Sequence, residues 1–221
     1  NRELLNAFQP LLLERMRLIK EIKLKKSYPP PIDKTRILGG VPLIRQQDLL
    51  LPDDPWEETA GRLIPALKEG FPGIRGDMDS LQSGSEKLSD LFHDYRNAFP
   101  DHAEEAIGRG ALDLQVSAQG ISLLLRHLTR IFLERRMQAV DEEIKGLEWK
   151  KGFCPVCGAF PTIALIEDKI TRRWLHCSRC GQDWLFSRVI CPYCENEAQQ
   201  GMDFFYLETN PQESAFTCTK C

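Results

Sequence analysis

Apolar residues in the first 149 positions recur at three- and four-residue intervals, the period of an amphipathic helix. A helix opening near Pro10 places Leu12, Leu13, Met16, Ile19 and Ile22 on one face. The stretch SYPPPIDKTRILGGVP (27–42) is too rich in Pro and Gly for regular structure and predicts a long loop. A second helix follows from about Pro55, with Trp56, Leu63, Ile64 and Leu67 inward. A third, over about 77–98, offers Met78, Leu81, Leu88, Leu91, Phe92 and Tyr95. Phe99-Pro100 ends it, and Asp101 is placed to cap the next segment. The longest pattern runs from about 116 to 148 through Ile121, Leu124, Leu128, Phe132, Val140, Ile144 and Leu147, with Gly120 as a point of kinking or division. This part reads as an α-helical bundle.

The pattern changes at residue 150. TIALIE (162–167) and ITRRWLH (170–176) are β-like runs around Glu167-Asp168-Lys169, which predicts a hairpin. MDFFYLE (202–208) and SAFTC (214–218) repeat the arrangement around TNPQE. Each hairpin is bracketed by C-x-x-C: CPVC (154–157) and CSRC (177–180) around the first, CPYC (191–194) and CTKC (218–221) around the second. Clip, hairpin, clip therefore occurs twice, an internal duplication in form. The expected class is α+β: a helical domain over 1–149, then two tandem rubredoxin-like or zinc-ribbon β-hairpin modules over 150–188 and 189–221.

Composition supports a globular chain with a real core, at 42% hydrophobic and 28% charged residues. The net charge of −3 argues against a polyanion-binding protein. No apolar run reaches the length of a membrane span, and the charged N-terminal segment does not read as a signal peptide. Residues 150–221 hold eight basic and eight acidic side chains with no basic stripe, so a nucleic-acid partner is not expected. In the helical part, His93, His102 and His127 have no partner spacing. No Ser-His-Asp grouping, phosphate-cradling Gly-rich loop or carboxylate pair stands out there. The chain does not read as an enzyme.

All eight cysteines lie in the four clips. A C-x-x-C pair closes too small a loop for a good structural disulfide, so the set points to a reducing compartment and to metal. Two clips joined by one hairpin bring four thiolates to one tetrahedral site. The intervening 19 and 23 residues favour sequential sets: Cys154, Cys157, Cys177 and Cys180, then Cys191, Cys194, Cys218 and Cys221. A cross-braced pairing also fits the ten residues between Cys180 and Cys191, though the hairpins favour the first solution. Gly158 and Gly181 follow the clips of the first set, free to take positive φ and aim N–H groups at sulfur. The second set lacks this glycine, with Glu195 in its place. CPYC is also a glutaredoxin dithiol, but only 27 residues follow Cys194, and they read as a hairpin ending in two more cysteines. A metal knuckle explains it better. The metal could be zinc or, as in a rubredoxin-type site, iron.

CPVCGAFP, WLHCSRCGQDW, SRVICPYC and a final C-x-x-C resemble the formate dehydrogenase accessory protein family, FdhE. The match extends to Pro161, Leu175-His176 and Trp184, and it covers mainly 150–221. The resemblance implies a cytoplasmic maturation factor that associates with the catalytic subunit of formate dehydrogenase. It also implies two iron or zinc ions, each bound by four of the eight cysteines. A rubredoxin-like iron protein that reduces a client's active site is the alternative, as is a zinc-ribbon interaction module of other specificity. Trp174, Trp184 and Tyr193 are candidates for a contact surface. Family members normally continue past the last clip, whereas this sequence ends on Cys221.

Overall fold

The computed structural model describes residues 2–24, 32–167, 172–197 and 201–221. The helices are α1 (Arg2–Glu21), α2 (Lys34–Leu38), α3 (Trp56–Gly70), α4 (Arg75–Ser83), α5 (Ser85–Ala98), α6 (Ala103–Leu114), α7 (Ala118–Met137) and α8 (Asp141–Lys145). The strands are β1 (Ile163–Glu167), β2 (Arg172–His176), β3 (Asp183–Phe186), β4 (Met202–Leu207) and β5 (Asn210–Cys218). The result is a mixed helix-and-sheet fold, helical first and β last, as the sequence pattern predicts. Positions 168–171 of the first hairpin and 27–31 of the Pro-rich stretch lie outside the described residues.

Contacts divide the chain into two units, Asn1–Pro30 with Asp48–Ala139, and Pro31–Gln47 with Val140–Cys221. The first is the helical bundle, in which α3 packs against α1, α4, α5 and α7. Its core centres on Trp56, whose ring lies 4.7 Å from Phe132 and 5.5 Å from Phe92. Arg136 and Asp54 form a fully buried ion pair in the same core. Asp54 also accepts the Leu51 N–H at 2.8 Å, so the carboxylate is held from two sides.

Several helical expectations shift. In α1 the buried residues are Leu11, Leu18 and Ile19, while Leu13 and Met16 are exposed. A leucine-rich run offers more than one apolar stripe, and packing selects between them. The predicted 77–98 helix breaks at Gly84, which leaves helical geometry between α4 and α5. His102, not Asp101, precedes α6. The 116–148 pattern divides at 138–140 rather than at Gly120. Ser117 caps α7 by accepting the Gly120 N–H, and Gly120 sits in the first turn against Asp77.

The second unit carries the cysteines. Strands β1, β2 and β3 form an antiparallel sheet in that order, with Ala164 opposite Leu175 and Leu175 opposite Trp184. Leu175, Trp184, Phe186 and Val156 supply its small core. Strands β4 and β5 form a separate hairpin. β5 already begins at Asn210, so the TNPQE loop is shorter than the sequence suggests, and a register shift at Tyr206/Leu207 absorbs the difference. The sequence pattern puts a domain boundary at 149/150, whereas the contacts also draw in α8 and residues 31–47. That early segment is not simply a loop. It contains α2, capped by Asp33, and buries Ile37 and Leu43. Leu43 and Ile44 donate backbone hydrogen bonds to Pro155 and Val156 at 2.8 and 2.9 Å, pairing directly with the first cysteine clip.

Candidate metal centres

Each interior clip is built as the same turn. In the first, the Cys154 N–H donates to Ala159 O at 2.8 Å, and the Gly158 N–H returns to Cys154 O at 3.0 Å. The second repeats it with Cys177, Gln182 and Gly181, and the third with Cys191, Asn196 and Glu195. The fourth residue after the leading cysteine is left-handed every time: Gly158 at φ 72°, Gly181 at 81° and Glu195 at 55°. Glu195 therefore makes the turn that its residue type argues against in the second set. A non-glycine residue rarely takes this conformation, and here the Lys151 ammonium holds its carboxylate at 3.0 Å. The signal was present in the spacing, since Glu195 occupies the position of the two glycines.

The turns bring the cysteines together in two groups, Cys154, Cys157, Cys177 and Cys180, and Cys191, Cys194, Cys218 and Cys221. Within each group all four sulfurs lie within 4.8 Å of one another. Cys154 and Cys180, and Cys157 and Cys177, stand 3.4 Å apart sulfur to sulfur in the first group; Cys191 and Cys221, and Cys194 and Cys218, stand 3.6 Å apart in the second. Four thiolates at about 2.3 Å from a shared ion stand about 3.8 Å apart, well beyond a disulfide bond of about 2.05 Å. All eight cysteines are free. Each group can hold one metal ion, and a set of four soft thiolates suits zinc or iron.

Electrostatics point the same way. Burial pushes the Cys154 and Cys180 thiols up, while hydrogen bonds from the three neighbouring thiols draw Cys177 well below the ordinary thiol range. In the second group, the Lys220 backbone N–H brings Cys218 down to about 7, and the Cys191 and Cys194 thiols push Cys221 up to about 12. Four crowded thiols cannot all ionise unaided. A bound cation replaces the shared protons and lets every sulfur become a thiolate.

Neighbouring groups fix the clips. His176 pairs with Asp183 across β2 and β3 at 2.7 Å, just ahead of Cys177. Gln182 joins α8 by donating to Asp141 at 3.1 Å. Arg173, buried in β2, donates to Ser187 O and, at 2.6 Å, to Ile190 O, so the first sheet holds the entry into CPYC. Gly152 lies against the carbonyl of Pro192. Tyr193 stacks on Phe160 at 4.8 Å and donates to Pro161 O. Arg173 and Gly152 carry no motif, and sequence reasoning missed both. Of the aromatic candidates, Trp184 is core, with its indole N–H on Lys151 O; Trp174 is half-buried, and Tyr193 is exposed. The three helical histidines belong to neither cysteine group: His93 contacts Asn97, His102 contacts Glu105 and His127 contacts Arg15. No helix among the described residues is long and apolar enough to cross a membrane.

Comparison with known proteins places the first ribbon. Residues 153–188 match the family model "FdhE, central domain". An FdhE homolog of Aquifex aeolicus is 38% identical over 76 residues, which is 33% of this chain and 27% of that protein. FdhE of Salmonella choleraesuis is 32% identical over 71 residues, 31% of this chain and 22% of that protein. The matched stretch thus spans about a quarter of those relatives' length. The crystal structure of FdhE from Pseudomonas aeruginosa shares the fold across 100% of this chain and 78% of its own, with a TM-score of 0.54 at 18% identity. The family model falls on the first cysteine ribbon and the shared fold extends over the rest of the chain, so the chain is similar to FdhE proteins in the sequence of that ribbon and in its fold.

Proposed function

We infer that this chain is a cytoplasmic accessory factor for formate dehydrogenase and not itself an enzyme. It docks on the catalytic subunit of that enzyme before the enzyme is active, and two metal-loaded ribbons hold the docking surface in shape. One observation carries this role: two four-cysteine groups converge on ribbons of which the first matches the FdhE central domain. The metal ligands are Cys154, Cys157, Cys177 and Cys180 in one centre and Cys191, Cys194, Cys218 and Cys221 in the other. When bound, a zinc ion supplies rigidity and an iron ion adds one-electron chemistry. The protein's own residues supply the surface. Phe160, Ile163, Leu165 and Tyr193 are exposed apolar side chains on the ribbon unit, the kind of patch that marks a protein contact. The balanced charge of 150–221 favours a protein partner over a nucleic acid.

A second observation favours a redox role within the same assignment. Cys194 and Cys221 are exposed, so iron in that centre would lie within electron-transfer reach of a client. Colour separates the two, since ferric tetrathiolate is red and zinc colourless. The test of the function combines co-purification of the formate dehydrogenase catalytic subunit with complementation of a deletion strain. Inactive formate dehydrogenase polypeptide is expected to accumulate in the deletion strain and to regain activity with the intact gene. Normal formate dehydrogenase activity in the deletion strain, with no second gene copy, refutes the role.

A further inference from the structure

The two cysteine groups share a ligand set but not a setting. The first is closed on every side. Its four cysteines are at most 1% exposed. Strands β2 and β3 flank it, and residues 42–44 seal the first clip through the Leu43 and Ile44 hydrogen bonds and the contact of Pro42 with Gly158. The second is open on two sides. Cys194 faces solvent and Cys218 is half-buried. Cys191, Cys218 and Cys221 form part of the wall of a cavity of about 650 Å³. Thr162 and the β1 residues Ile163 and Ala164 line the same cavity. A volume of this size admits a small molecule.

We propose that the two centres are different in kind: the first is a closed structural site, and the second is an exchange site whose metal is open to a soft external donor, a small thiolate or a chelating nitrogen. This rests on the assignment of both groups as metal sites. Ligand exchange at a tetrahedral centre proceeds when an incoming donor adds a fifth bond before one of the original bonds breaks. At the second centre the donor has an approach from the cavity and another beside Cys194. Its bond to the metal forms, one metal–sulfur bond breaks, and the released cysteine thiolate takes a proton from water. No electron changes hands, so neither an oxidant nor a reductant is required. Complete transfer of the ion to a chelator leaves the site's cysteines free to take up protons. At the first centre no donor reaches the metal until the surrounding sheet opens, and such an opening multiplies the waiting time.

The test uses the whole chain loaded with zinc. Metal content is measured first, and release into excess 4-(2-pyridylazo)resorcinol is then followed by absorbance. In parallel, iodoacetamide alkylation is mapped by peptide mass spectrometry during the release. Two bound ions should leave in two phases of equal amplitude, with the fast one about tenfold or more ahead of the slow one. Alkylation of Cys191, Cys194, Cys218 and Cys221 should keep pace with the fast phase, while Cys154, Cys157, Cys177 and Cys180 stay protected until the slow one. A Cys194→Ser variant should lose the fast phase and keep the slow one. Two ions leaving at a single rate, or alkylation of the first set ahead of the second, overturns the proposal while leaving metal binding intact. Loading of fewer than two ions overturns the metal assignment and the proposal with it. The alkylation map uses the unaltered protein, so it decides the matter even if the variant does not fold.

Discussion

Replacing Cys177 by Ala should unfold the first ribbon and, with it, a segment more than a hundred residues away in sequence. Cys177 is fully buried at the end of β2, and its backbone already makes both hydrogen bonds of its clip. The substitution leaves that backbone intact and removes little volume, so its effect runs through the metal. A structural zinc site contributes about 10–16 kcal/mol to folding in small ribbons, against a net stability of about 5–15 kcal/mol for a whole domain. The sheet has little else to hold it, because β1 is exposed at all five positions. Losing the ion therefore outweighs the stability that remains. Limited trypsin digestion with mass spectrometry reads the outcome. Cleavage at Arg172, Arg173, Arg179 and Arg188 should become fast, and metal content should fall from two ions to at most one. Lys34, Arg36 and Arg45 should become labile at the same time, because residues 43–44 pair with the first clip. The bundle over 48–139 should stay resistant, since its core contains no cysteine. Unchanged resistance across 150–190 would refute the metal dependence. Continued protection of Arg36 and Arg45 beside a digested ribbon would refute the pairing.

Arg136→Met should lower the stability of the helical unit by about 3–5 kcal/mol in urea denaturation, because it strands the buried Asp54 carboxylate; a loss below about 1 kcal/mol would show that the pair is dispensable. Gly152→Ala would set a methyl group 1.8 Å from the Pro192 carbonyl oxygen, so the CPYC clip must shift. Metal analysis should then find the second ion depleted and the first retained. His127 is brought down to about 4 by burial and by the Arg15 and Arg130 charges. The unfolded chain takes up its proton near pH 6.5 and the folded one only near 4, so stability should fall as pH drops through that window and level off below it. Thermal denaturation should show the loss, and His127→Gln should flatten it.

Whatever depends on local spacing could be read from the residues alone. A C-x-x-C turn sets two sulfurs side by side, and a hairpin of about twenty residues returns the chain to them, so the two groups of four were legible before any coordinate. The helices were legible for a similar reason: a period of three to four apolar residues can be buried only as a helix. Even the left-handed turn at Glu195 was encoded in register with Gly158 and Gly181, although its residue type hid it. Features that depend on partners distant in sequence emerged only on folding. Leu11 rather than Leu13 faces the core of α1, because neighbouring helices select the stripe. The chain leaves helical geometry at Gly84 and again at 138–140, although the apolar period runs on through both. Residues 42–44 seal a clip more than a hundred positions later through backbone hydrogen bonds, which no side-chain pattern announces. Burial of one cysteine group and partial exposure of the other is likewise a property of what surrounds each set, because identical ligands at nearly identical spacing hold no record of which walls will close around them.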